Sequence, residues 1–302
     1  MSIDSMTPQM GILIGHVILV ALALAACGVW WTSASVDRAG RTIVAVGLFL
    51  RAVPGVALFW ISAHRLPIGS SYQLQQGFWF FGVDAEYYYR IAAGAAARGP
   101  VAIVALAPVL PSVFYIKSFA AALYLFGPSL TTSLLFNLLA YAGLAGCAIH
   151  WHERSGLAKP ALLVTLSAVS LAPSWILWTY QPLKDTYFLL LVGLYFYGAD
   201  RWYRRLIADT WSWVAALGVL GALAVVIYGI AGIRWYFAFT LVSMMPLAVL
   251  TALARRPRRS WWRAIAATLS VGLLLEVTVA GAGPYAPLWL RTVARPSSVQ
   301  AL

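Results

Sequence analysis

The run from Gly11 to Trp31 contains no Asp, Glu, Lys or Arg, and neither does Ala161 to Tyr180. At about 1.5 Å per residue, each run is long enough to cross a bilayer core of about 30 Å as a helix. A membrane-crossing backbone must satisfy its own polar groups, which leaves helices or a closed barrel. A barrel needs segments of about ten residues alternating apolar and polar, whereas these runs are continuous and rich in Leu and Ala. Composition agrees. Of 302 residues 62% are hydrophobic and 10% charged, well above the roughly 45 to 50% apolar content of soluble domains. A water-soluble fold is excluded, and the expected fold is an all-α polytopic transmembrane helix bundle forming one integral membrane domain over 1–302.

Eight spans are predicted, at about 10–31, 42–62, 130–150, 160–179, 185–200, 211–230, 235–254 and 264–281. The positive-inside rule orients them. With the N-terminus outside, Arg38, Arg41, Arg154, Lys159, Arg201, Arg204, Arg205, Arg255, Arg256, Arg258, Arg259 and Arg263 all fall on short inner loops. The same register puts Asp84, Lys184, Asp185 and Arg234 on the outer face. It requires residues 100–126 not to cross. Pro108 and Pro111 interrupt that stretch and Lys117 sits within it, so the segment 63–129 is read as outer-face, with juxtamembrane or re-entrant helices. Residues 282–302 read as a weakly structured outer tail.

The net charge of +12 is accounted for by these loops and by acidic lipid head groups, so no nucleic-acid partner is expected. Cys27 and Cys147 are the only cysteines, and both fall inside predicted spans, which gives no disulfide framework. Leu24 to Cys27 resembles a lipobox, but no basic residue precedes the apolar run, contrary to a cleavable signal. No tight pair of aspartates offers a divalent-metal site; no metal and no cofactor are expected.

The outer segment carries Phe81-Gly-Val-Asp84-Ala-Glu86-Tyr-Tyr88-Tyr-Arg-Ile-Ala92. Two readings fit it. In one, Asp84 is the N-cap of a helix over 85–97, Glu86 complements its dipole and the tyrosines anchor at the interface. In the other, Asp84 is a general base at the rim of a lipid-accessible cavity. Pro182-Leu-Lys184-Asp185 lies on the same side, either as a substrate-facing ionisable pair or as a snorkelling Lys beside a capping Asp. Gly232-Ile-Arg234-Trp-Tyr236 is predicted as a short outer loop, where an Arg calls for an anion: a lipid-linked phosphate or an ordinary head group. Arg51 is read as snorkelling or paired with an acid. Glu276 is read as marking a proton path or as a buried, protonated acid, and His16 lies in the first span. His150, His152 and Glu153 are metal-ligand types, but they sit at a cytoplasmic helix end where residues two apart point to different faces, and they are read as solvated side chains there.

In sequence order these features resemble the GT-C polytopic glycosyltransferases. The residues are Gly82, Asp84, Ala85, Tyr88 and Ala92, then Leu125-Phe-Gly127, Asn137, Pro173, Lys184-Asp185 and Ile233-Arg234 with Tyr236. The resemblance covers roughly residues 42–254. It implies transfer of a sugar from a polyprenyl-phosphate donor, with inversion, to an acceptor glycan, lipid or protein at the outer face of the cell membrane. By that resemblance Asp84 and Asp185 are the expected catalytic acids. Glu86, Tyr88, Lys117, Lys184, Arg234 and Tyr236 are the expected substrate-binding residues, with Lys184 and Arg234 on the carrier phosphate. A C-terminal periplasmic domain of the kind many members of that family carry is not expected in residues 1–302. A transporter or flippase for a lipid-linked or small solute, or a non-catalytic subunit of an envelope assembly, are the alternatives.

Overall fold

A computed structural model describes residues 36–107, 112–156, 158–207, 212–255 and 261–285. The predicted span 10–31 with His16 and Cys27, Pro108 and Pro111, the basic run Arg256 to Arg259 and the tail from 286 onward lie outside the described residues. The described chain is helical apart from one short hairpin, and it is a membrane protein. Four helices are long and apolar enough to cross a bilayer, or five if one bent pair forms a single span.

The helices are α1 (Arg38–Ala63), α2 (Val83–Ala97), α3 (Pro100–Val104), α4 (Val113–Phe126), α5 (Leu130–Ser155), α6 (Lys159–Leu171), α7 (Pro173–Thr179), α8 (Asp185–Ile207), α9 (Trp213–Arg255) and α10 (Trp261–Ala282). Between α1 and α2 an antiparallel hairpin, β1 (Gln73–Gln75) and β2 (Phe78–Trp79), turns through Gln76 and Gly77. Sequence reading does not anticipate it. Within residues 63–129 the longest described helix that begins and ends there is α2, with 15 residues, and the more apolar α4 has 14. At about 1.5 Å per residue α4 spans about 21 Å, short of the hydrocarbon core.

The chain falls into two compact units, Met1–Leu106 with Ile116–Leu190, and Ala107–Tyr115 with Leu191–Leu302. In the first, α1 packs on α5 and α6 through Val36, Ala145, Ile149, Leu162 and Leu166. Asp37 starts α1 by accepting a bond from the Gly40 amide at 2.9 Å, and its other oxygen meets Lys159 at 3.1 Å.

Helices α6 and α7 meet at a 48° bend. Pro173 has no amide hydrogen, so the Val169 carbonyl loses its helical partner. Arg51 supplies the replacement: Nη2 donates to Val169 O at 2.9 Å and Nη1 to Ser170 O at 2.7 Å and Gly47 O at 3.0 Å. Its guanidinium lies 4.1 Å from the Tyr141 ring centroid, and the residue is 1% exposed. The expectation of a snorkelling or acid-paired Arg51 is therefore corrected: the demand for donors at a broken helix holds the charge inside.

In the second unit, Leu191 lies beside Gly229 and Gly198 beside Leu223, so α8 and the start of α9 run antiparallel and Tyr195 stands level with residue 226. The Tyr195 hydroxyl donates to the Leu241 carbonyl at 2.8 Å. In a straight helix residues 226 and 241 would be about 22 Å apart. The chain must therefore double back at Arg234, whose φ of −144° and ψ of 83° leave the helical region. The short loop predicted at Gly232 to Tyr236 is thus a reversal between two helical arms. Helix α10 packs beside the first arm, with Gly281 against Tyr228 and Ala231.

Candidate functional site

The candidate residues of the first unit gather where two helices begin. Asn137 on α5 is fully buried and donates from Nδ2 to Thr179 O at 3.1 Å and Gln181 O at 2.8 Å. That fixes the turn leading into α8. Gln181, itself buried, donates from Nε2 to Gly77 O at 3.2 Å, which ties the same turn to the hairpin leading into α2. Gly77 has φ of +93°, a left-handed conformation that glycine adopts without strain. Gly82 approaches so closely that a methyl there would lie 2.9 Å from Gln181 Cγ.

Asp84 and Asp185 therefore open two helices that start from one stapled pair of turns. Lys184 Nζ donates to the Tyr88 hydroxyl at 3.0 Å and lies 5.5 Å from the Tyr88 ring centroid. Tyr88 is buried, and it holds Lys184 one helical turn from Asp84 on α2. A chain segment 96 residues downstream thus reaches the helix that carries the first acid.

Asp84 does not cap its helix. The N-cap of α2 is Gly82, which makes no side-chain bond, and the helix starts at Val83 rather than residue 85. Asp84 is exposed and makes no hydrogen bond or ion pair among the described residues. Its carboxylate is therefore available to a ligand, and its position in the first turn is electrostatically favourable. Asp185 is the first residue of α8 and is half-buried.

The other candidates divide. Glu86 forms an exposed i, i+4 pair with Arg90 at 2.6 Å, the kind that contributes little to stability. Lys117 donates to the Val104 carbonyl at 2.6 Å, closing the last turn of α3. Arg234 and Tyr236 belong to the second unit. Arg234 is the reversal residue and Tyr236 is exposed, stacked edge-on with Trp235. Glu276 lies on the exposed side of α10, which corrects its reading as a buried acid. His150 pairs with Glu153 at 3.0 Å. Among the described residues no three His, Cys, Asp or Glu side chains are placed to hold a metal ion.

Sequence reading included Asn137 only through the resemblance and missed Gln181, the residue that fastens the two turns. A buried amide between Tyr180 and Pro182 carries no periodic signal. Comparison with protein-family models, with curated proteins and with solved structures gives no match for this chain.

Proposed function

We propose that the protein is a membrane glycosyltransferase of the GT-C type, moving a sugar from a polyprenyl-phosphate carrier to an acceptor hydroxyl at the outer face. The observation that supports this most is the joining of the α2 and α8 starts by Gln181–Gly77 and Lys184–Tyr88, with Asp84 left unengaged beside them. Asp84 takes the acceptor proton as the hydroxyl oxygen attacks the anomeric carbon. The carbon–oxygen bond to the carrier phosphate breaks, and the electron pair leaves with the phosphate, whose charge Lys184 offsets. The N-termini of α2 and α8 favour an anion in the same place. Asp185 is the second acid of the site. Membrane lipids and the lipid-linked donor are the partners of this reading.

Eight spans belong to the same proposal. The bent α6–α7 pair serves as the fourth, α8 as the fifth, and the two arms of α9 as the sixth and seventh; the first predicted span lies outside the described residues. The site then faces outward from the cell's inner membrane, as the loop arginines favour.

The test uses the purified chain in liposomes supplied with a polyprenyl-phosphate hexose or pentose, and it measures release of polyprenyl phosphate. Asp84→Asn should lower release by at least about 100-fold with an unchanged thermal midpoint, because no described partner is lost. Release at the wild-type rate overturns the assignment. One feature favours a second reading: the α6–α7 bend resembles the discontinuous helices of transporters. Solute movement in liposomes that survives Asp84→Asn would select it.

A further inference from the structure

The second unit contains a groove of about 470 Å³ between α8 and the first arm of α9. From α8 it is lined by Leu194, Tyr197, Arg201 and Arg205, spaced by three and four residues and hence on one face. From α9 it is lined by Ala215, Gly218, Ala222 and Val226, again on one face. Because the two segments run antiparallel, Arg205 lies level with Ala215 and Leu194 with Val226. One end of the groove is therefore doubly cationic and the remainder is apolar.

We propose that this groove binds one anionic phospholipid, with its phosphate held by Arg201 and Arg205 and one acyl chain lying between α8 and α9. Length selects the occupant. From Arg205 to Leu194 is eleven residues, about 16 Å along a helix, close to the half-thickness of about 15 Å that one leaflet of a bilayer provides. Charge selects the head group. Among the described residues no Asp or Glu lines the groove, and Arg204, which is absent from the lining, is already engaged with Asp200 at 2.8 Å. Arg201 lies 5.8 Å from the Tyr197 ring centroid, which orients it along the lining face. Two guanidinium groups four residues apart can each present paired N–H donors to a phosphate. The groove floor is open at Gly218, where a Cβ would meet no atom within 4 Å. The site is independent of the proposed transferase activity and involves none of its residues.

Delipidated full-length protein in a neutral detergent is titrated with phosphatidylglycerol, with phosphatidylcholine of the same acyl chains, and with inorganic phosphate, while its thermal midpoint is followed. Phosphatidylglycerol should raise the midpoint saturably, at concentrations at least about tenfold lower than either alternative, the tenfold corresponding to about 1.4 kcal/mol. The double variant Arg201→Gln, Arg205→Gln should lose that preference, while Arg204→Gln keeps it. Gly218→Leu fills the groove without changing charge and replaces a helix-interior glycine with a better helix former; it should abolish the response while remaining folded. Equal response to both phospholipids overturns the head-group assignment. Equal loss in Arg204→Gln, or an undiminished response in Gly218→Leu, overturns the site.

Discussion

Arg51 is surrounded by three backbone carbonyls and an aromatic ring, and no carboxylate contacts it among the described residues. Removing one partner of a buried hydrogen-bonded set costs more than the set contributes, because the remaining groups stay desolvated. Arg51→Met should therefore lower stability by at least about 1 to 3 kcal/mol, the cost of leaving the buried Val169 carbonyl without a donor. Arg51→Lys should recover only part of this, since one ammonium lacks the planar fork that spans Val169 and Ser170. Detergent-resistance melts of the three proteins check the order. Asp84 is the opposite case at the same scale: it is exposed, and the capping role is left to Gly82, so its removal should leave the fold intact, and under the proposed function it lowers turnover.

At the scale of elements, α1 depends on its first turn. The Gly40 amide, and after it Lys159, hold the Asp37 carboxyl below its ordinary value. A carboxyl depressed in the folded state stabilises fully above the unfolded value, near about pH 4. The contribution fades as pH falls through the folded value. Thermal midpoints of wild type and Asp37→Asn should thus differ at neutral pH and converge below about pH 4, with wild type showing the steeper acid decline. Helices α9 and α10 depend on proximity. A Cβ at Gly281 would sit 2.7 Å from the Tyr228 carbonyl oxygen, a backbone atom that cannot swing aside. Gly281→Val should cost about 1 to 3 kcal/mol by overpacking, measurable as a lower melting midpoint with an unchanged helical spectrum.

For the whole molecule, the doubling back at Arg234 makes a topological prediction. Ser212→Cys and Thr251→Cys, placed singly in a chain whose own cysteines are replaced by alanine, should react with an impermeant maleimide from the same side of a sealed vesicle. A straight 43-residue helix would place them on opposite sides. Much of this was legible in sequence. Apolar runs located α1, α5, α10 and both arms of α9, because about twenty residues with at most one charge have few alternatives to a helix in lipid. Within 100–126 the described helices are α3 and the 14-residue α4, while Pro108 and Pro111, on which the reading of that stretch rests, lie outside the described residues. What escaped depended on single contacts between residues far apart in sequence. No local pattern announces that Gln181 bonds to Gly77, that Lys184 bonds to Tyr88, or that Arg51 serves the carbonyl left bare by Pro173, 122 positions later.

That last arrangement carries a consequence for biosynthesis. A helix that cannot complete its own ladder is costly to leave alone in hydrocarbon, so the bent α6–α7 pair needs its arginine already at hand when it emerges. The arginine lies upstream in the chain and is made first. Synthesis from the N-terminus therefore delivers the donor before its acceptors, and a permuted chain that presented the bend ahead of α1 would leave it exposed to quality-control proteases until the arginine arrived.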